Sequence, residues 1–206
     1  MIDAYVWTTP NGFKALIALE ELAIPYTLHW VDITKGEQKA PEYLAINPNN
    51  KIPAIVDHGV AGRPVTVFES GAVLTYLADK TSQLMPTGRE RYLALEWLFF
   101  GAGGPGPMIG QLGFWAHFSN DKYPPAIERY KTETERLLGV ADRRLGESPY
   151  LAGPSYTVAD IMNFTWLRAA SRFGVEPKGF RNVARWLGEI EARPAVQRAL
   201  AMKPPQ

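Results

Sequence analysis

Three short stretches near the start of the chain set reactive side chains beside backbone that can bind. The first is Thr8-Thr9-Pro10-Asn11-Gly12, at the expected end of a strand and start of a helix. Threonine hydroxyls and an asparagine amide are good donors. Next to a helix N-terminus they would stabilise a thiolate or another soft anion. The same residues serve equally well as a plain helix cap made by Thr9 or Asn11. The second stretch is Asn50-Lys51-Ile52-Pro53-Ala54. A proline at the head of a core strand cannot donate to a ladder, so it sits at an edge or a turn. A cis bond there would swing the Ile52 backbone outward, to pair with an extended peptide as an added strand does. The third is Phe68-Glu69-Ser70-Gly71. The Ser70 hydroxyl and the first free N–H groups of a helix form an anion site able to hold a carboxylate. Glu69 beside it would take an α-ammonium, and the two together would hold an amino-acid zwitterion. The plain alternative is a serine N-cap next to a solvated glutamate.

Later in the chain, Gly101 to Pro107 reads GAGGPGP. It lacks the GK[ST] ending of a phosphate loop and follows a helix instead of a strand. Its two prolines predict a break or bend in a helix. Phe114, Trp115, His117, Phe118 and Tyr123 come next. They would wall an apolar pocket for a second substrate, or pack against another surface. Ser155 to Ile161, SYTVADI, centres on Thr157 and Asp160. Thr157 is the expected N-cap, Asp160 reaches back to its amide, and Tyr156 and Ile161 occupy the two staple positions. This is read as a well-capped helix with a structural role.

The elements that must carry these residues alternate in period over the first 80 positions. Ile2 to Trp7 is short and β-prone; Ala15, Leu16, Leu19 and Leu22 recur at helical spacing. Tyr26 to Ile33 reads as a strand and Pro41 to Ala45 as a short helix. Ala54 to Asp57 and Val65 to Phe68 read as strands, and a helix opens at Glu69-Ser70-Gly71. The order β-α-β-α-β-β-α predicts a small sheet covered by helices. Residues 81–88 read as a linker, and everything beyond is helical. The expected organisation is an α/β domain over 1–81 followed by an all-α domain over 88–206.

The chain has 206 residues, with 22 Lys+Arg against 21 Asp+Glu. So even a balance makes no field for holding polyanions, and nucleic acid is not an expected partner. There is no cysteine, which excludes disulfides, thiolate metal sites and a protein thiol nucleophile but leaves thiol chemistry on a bound ligand open. His29, His58 and His117 are too scattered for a metal cage, so no metal is expected. The longest uncharged stretch, Trp97 to Asn120, is interrupted by the Gly/Pro cluster and does not read as a membrane span. The start MIDAYVW has no basic, apolar leader, so a cytoplasmic location is the default expectation.

Taken together and in this order, the Ile52-Pro53 loop, Glu69-Ser70, the Thr157/Asp160 box and Arg193-Pro194 resemble the glutathione transferase family over nearly the whole chain. Thr9-Pro10-Asn11-Gly12, Asn47-Pro48-Asn49-Asn50-Lys51-Ile52-Pro53 and the stretch GGPGPMIGQ at 103–111 are similar to the nu class and its fungal nitrogen-regulator relatives. The resemblance implies a thioredoxin-like N-terminal domain, a helical C-terminal domain and a homodimer. It implies glutathione or glutathione disulfide as ligand, with a small-molecule acceptor and without a catalytic cysteine. By the same resemblance Ile52, before Pro53, would pair with the cysteinyl part of glutathione. Glu69 and Ser70 would bind the γ-glutamyl end, Gln38 and Lys51 the glycyl end or nearby polar atoms. Thr9 and Asn11 would sit near the sulfur as the catalytic pair. Arg129 would contact a second glutathione or the second half of the disulfide. The implied activity is glutathione-dependent disulfide reduction. The alternatives are conjugation of apolar electrophiles at Phe114, Trp115, His117 and Phe118, or a non-catalytic glutathione-binding module. An isomerase of the zeta type ranks behind these, because Thr-Pro-Asn-Gly stands where a serine-rich motif would be.

Overall fold

The computed structural model describes residues 1–205. The chain divides into two compact units, Leu84–Ala192 and a first unit made of Met1–Gln83 plus the segment from Arg193 onward. In the first unit the order is β1 (Ile2–Val6), α1 (Pro10–Glu21), β2 (Tyr26–Trp30), α2 (Pro41–Leu44), β3 (Ala54–Asp57), β4 (Val65–Phe68) and α3 (Ser70–Thr81). Among the described residues the four strands form one sheet in the order β2-β1-β3-β4. β1 runs parallel to β2, with Ala4 opposite Leu28, and antiparallel to β3, with Ala4 opposite Ile55. β3 and β4 are antiparallel.

Alternation along β1 assigns the two faces of this sheet. Ile2, Ala4 and Val6 are buried on one side, the side expected to face covering helices when side chains alternate at period two. Tyr5 and Trp7 point the other way, into a cluster of Val31, Tyr43, Ile52 and Ala54. α1 buries nearly its full circumference, from Gly12 to Leu19, because it packs against both β1 and α3. β2 ends at Trp30, three residues short of the expected Ile33. Asp32 ends it by folding the chain into a turn: its carboxylate accepts from the Thr34 amide at 2.9 Å and the Thr34 hydroxyl at 2.6 Å.

The second unit contains α4 (Gly88–Gly103), α5 (Pro105–Gly113), α6 (Pro124–Glu147), α7 (Val158–Ala169) and α8 (Arg181–Glu191). The helix broken by the Gly/Pro cluster is the α4–α5 joint, where Pro105 opens α5 directly after Gly104. A π-helical turn, Phe114–Phe118, follows. α6 is amphipathic, burying Thr134, Leu137, Leu138, Ala141 and Leu145 along one stripe. α4 crosses α7 closely at Gly101, where a Cβ would come within 2.9 Å of Asn163 Oδ1 and Met162 Cγ. Asn163 seals that crossing by donating to the Trp97 and Ala159 carbonyls, each at 2.8 Å.

α9 (Pro194–Ala201) completes the first unit by packing on α1. Arg193 holds Glu21 through two bonds of 2.6 and 2.8 Å, and Arg198 reaches Glu20 at 2.7 Å. This corrects the expected 88–206 helical domain, from which the segment beyond Ala192 must be removed. Helical periodicity says that a helix forms, and a non-local ion pair decides which core it joins.

Candidate functional site

The start of α1 is held by Thr9. Its backbone is extended at the N-cap, and its Oγ1 accepts from the Gly12 amide at 3.2 Å. Pro10 occupies the first helical position, where no amide donor is needed. The capping reading of Thr9 is therefore realised. Asn11 is half-buried, and its Oδ1 accepts from Lys14 Nζ at 2.8 Å. Lys14 went unremarked in the sequence. It is 1% exposed and belongs to the same helix. Burial pushes its ammonium down to about 7, against the attraction of Glu69. Since the unfolded chain keeps that proton up to about 10.5, the buried charge costs stability below pH ~7, and the cost fades as pH rises toward that upper limit.

The Asn47–Pro53 loop is knotted by Asn47, which is buried. Its Nδ2 donates to the Lys51 carbonyl at 2.6 Å and its Oδ1 accepts from the Asn49 amide at 2.9 Å. The Tyr43 hydroxyl donates to the same Lys51 carbonyl at 2.5 Å. Burial pushes that phenol up to about 12, which keeps it a donor. The Ile52–Pro53 peptide is cis, and both residues are buried at the head of β3. Asn47 as the knot was legible only as one polar residue in a loop of them.

Glu69, and not Ser70, is the N-cap of α3. Its φ of 70° is in a region a non-glycine residue seldom occupies, and such strain gathers at ligand clamps. Its side chain makes no capping bond and instead accepts from Asn49 Nδ2 at 3.2 Å. Ser70 is the first helical residue, so its hydroxyl and the leading amides of α3 lie together.

These three segments meet. A cleft of about 260 Å³ is lined by Asn11, Asn47, Asn49, Lys51, Ile52, Pro53, Glu69 and Ser70. Six of the residues singled out from the sequence are among them. Gln38 is not: it lies on the tight helical turn Glu37–Lys39, with its amide turned toward the Ile33 carbonyl at 3.5 Å. Thr9 does not line the cleft either and contributes through the helix cap. In the second unit, Arg129 lines a groove of about 800 Å³ with Met108, Glu128, Tyr130 and Glu133. The aromatic residues gather around the π-helical turn. Phe114 stacks edge-on to Trp115 at 5.1 Å, and His117 and Phe118 lie 5.4 and 6.1 Å from Phe173. Phe114 and Phe118 remain exposed.

The cleft thus gathers the start of α1, the loop that leads into β3 and the start of α3. Comparisons with known proteins identify the family. Residues 8–80 match the family model for the glutathione S-transferase N-terminal domain, and residues 107–194 the model for its C-terminal domain. The chain is a member of the glutathione transferase family. The disulfide-bond oxidoreductase YfcG of Escherichia coli (strain K12) is 47% identical over 203 residues, covering 97% of this chain and 94% of that protein. A glutathione transferase from Burkholderia graminis, solved with two glutathione molecules bound per subunit, is 45% identical with a TM-score of 0.92, covering 97% of this chain and 87% of that one. One from Pseudomonas putida, solved with one glutathione disulfide per subunit, is 40% identical with a TM-score of 0.93, covering 98% and 92%. In this glutathione transferase the thioredoxin-like βαβαββα arrangement and the helical unit are both those expected from the sequence. The Ile52–Pro53 peptide, left open by the sequence, is cis.

Proposed function

We propose that this glutathione transferase is a glutathione-dependent disulfide-bond oxidoreductase. The observation that carries the reading is a single cleft that gathers Asn11, Ile52, Pro53, Glu69 and Ser70 in a chain with no cysteine. The reactive sulfur must then arrive with the ligand. The likeness to YfcG and to the relative holding glutathione disulfide supports the same reading.

Glu69 takes the γ-glutamyl ammonium, and Ser70 with the α3 N-terminus takes the adjacent carboxylate. The Ile52 backbone pairs with the cysteinyl unit as an added strand, and Lys51, with Gln38 nearby, serves the glycyl carboxylate. The cysteinyl sulfur then lies toward Asn11 and the N-terminus of α1, capped by Thr9. Donors and helix dipole there lower the thiol pKa. The thiolate attacks one sulfur of a disulfide. A glutathione mixed disulfide forms, and the departing thiolate takes up a proton from solvent. A second glutathione thiolate attacks the glutathione sulfur of that intermediate. Glutathione disulfide forms and the second product thiol leaves, so two glutathiones are oxidised for each disulfide reduced. Arg129 is assigned to the second glutathione or to the second half of the disulfide.

The exposed aromatic side chains Phe114 and Phe118, with Trp115 and His117, favour a second reading, conjugation of apolar electrophiles. We place the chain in the nu class and the cytoplasm, whose glutathione pool would keep the cosubstrate reduced. It is proposed to act as a homodimer, and the exposed Tyr92, Leu93 and Phe99 of α4 suit a covered face.

Calorimetric titration tests the reading. Binding of glutathione disulfide, or of two reduced glutathiones per subunit, is expected. One reduced glutathione with no affinity for the disulfide would favour conjugation, and binding of neither would leave a non-catalytic module. Asn11→Ala is expected to lower kcat roughly ten- to a hundredfold, the worth of one charge-assisted hydrogen bond, with the glutathione KM little changed. An unchanged kcat would remove Asn11 from the chemistry.

A further inference from the structure

Lys14 is a buried charged group that takes no part in the disulfide exchange itself. Lys14 sits in the middle of the buried run of α1, between Phe13 and Ala15, at a position a core helix would ordinarily give to leucine or methionine. An ammonium in such a place is costly unless it is paired. Its hydrogen-bond partner is the Asn11 side chain, at 2.8 Å, and Asn11 lines the cleft.

The chemistry of that contact fixes a direction. A charged lysine has three donors and no acceptor, so the Asn11 atom facing it must be the amide oxygen. The other end of the same planar amide is its NH2, a donor. A thiolate is an acceptor and needs that end.

We propose that Lys14 is a positioning residue: its buried ammonium holds the Asn11 amide oxygen, so that Asn11 meets the glutathione sulfur with its NH2. This rests on the reading that places the sulfur beside Asn11. A lysine that has lost its proton can accept as well as donate, and it no longer dictates which end of the amide it sees. The orienting effect is therefore strongest at low pH and weakens as pH rises through about 7, where burial, opposed by Glu69, puts the Lys14 pKa. Glu69 is the charged group acting on Lys14 from the start of α3. The elements packed on α1 carry other charged groups, each engaged elsewhere: β1 carries Asp3, on the same face as Tyr5, bonded to His58 and paired with His29. α3 supplies Lys80, paired with Asp57, and Asp79, which is engaged as well. α9 and the residue before it supply Arg198 and Arg193, bonded to Glu20 and Glu21 in the last turn of α1.

The test compares wild type, Lys14→Met, Asn11→Ala and the double variant. The readouts are kcat, the glutathione KM and the pH at which the bound thiol ionises, followed by thiolate absorbance. Lys14→Met should lower kcat roughly tenfold and raise the thiol pKa by about one unit, with KM nearly constant. In the Asn11→Ala background the same change should alter kcat less than about twofold, because both changes remove one interaction. Lys14→Gln, a neutral donor of similar reach, should restore part of the loss, and a merely structural role would not respond to it. In the wild type, the Asn11 side-chain amide resonance should move with pH as Lys14 titrates. A wild-type pH profile in Lys14→Met, multiplying effects in the double variant, or an Asn11 resonance that does not move would each overturn the proposal. If Asn11→Ala itself leaves kcat and the thiol pKa untouched, the placement of the sulfur fails and the proposal falls with it. If Asn11→Ala is damaging and Lys14→Met is not, the placement stands and only the role of Lys14 is lost.

Discussion

Replacing Gly12 by alanine should cost this protein both its stability and its turnover. A Cβ at that position would stand 2.0 Å from the Trp7 carbonyl oxygen and 3.1 Å from the Trp7 nitrogen and carbonyl carbon. These are backbone atoms at the end of β1, so no side chain can swing aside. The Trp7 oxygen is also held by the Thr9 amide at 2.7 Å. Relief requires the start of α1 to move away from β1 by more than about 1 Å, against a helix buried from Gly12 to Leu19 and packed on β1, α3 and α9. Overpacking of this severity costs about 3 kcal/mol, which for a chain of this size lowers Tm by roughly 6–12 °C. The same shift carries Thr9 and Asn11 out of place. A misplacement of about 1 Å at a reacting group costs on the order of a hundredfold in rate. Thermal melting and glutathione-dependent disulfide turnover check both halves. A variant that melts with the wild type and turns over normally would mean that the strand-to-helix turn yields without cost.

Asp160→Ala should strongly destabilise the second unit. The Asp160 side chain is wholly buried, and its two oxygens divide four donors between them. Oδ1 accepts from the Leu151 amide at 3.0 Å and from the Trp186 indole at 2.9 Å. Oδ2 accepts from the Thr157 amide at 2.9 Å and from the Thr157 hydroxyl at 3.1 Å. One side chain thus fixes the start of α7, the bend at Leu151 and the indole of α8. Burial pushes the carboxyl pKa up, while the Leu151, Trp186 and Thr157 donors pull it down. Removing the acceptor strands these donors without water, a loss of ~3–5 kcal/mol. Asp160→Asn should fall between. An amide has one oxygen, which can serve Leu151 and Trp186. Its NH2 would then oppose the Thr157 amide, and only the hydroxyl could turn to accept. Denaturant unfolding should rank the three chains wild type, Asn, Ala. An alanine variant within about 1 kcal/mol of wild type, the scale of an ordinary exposed cap, would show the network to be dispensable.

Most of this fold was legible because its elements are separated by strong punctuation. Thr-Thr-Pro-Asn-Gly, Asn-Pro-Asn-Asn and the Gly/Pro run at 101–107 each mark a boundary that the structure keeps. What was not legible depended on partners distant in sequence. α5 is rich in glycine and proline, residues of low helical propensity, and it forms because α6 and α7 pack on it. Ser70 read as the cap because serine is a good one, yet the chain turns one residue earlier, at a glutamate whose side chain is engaged by Asn49. Among the residues that line the cleft, Asn11, Ile52, Pro53, Glu69 and Ser70 stand out by local pattern, and Lys51 through the family resemblance. Asn47 and Lys14 do not, since one is a knot within a polar loop and the other a charge whose burial only the packing of α1 reveals.

The packing of α9 on α1 also sets an order of assembly. The first unit contains the earliest residues of the chain and some of the latest, with all of Leu84–Ala192 in between. At ribosomal rates of about 5–20 residues per second, roughly 5–20 seconds pass between the emergence of α3 and that of α9. Over that interval the helical unit itself emerges, helix by helix, with α8 just ahead of α9. The sheet that carries the cleft still lacks the helix that covers α1, so the nascent chain should acquire its binding competence only once α9 has emerged.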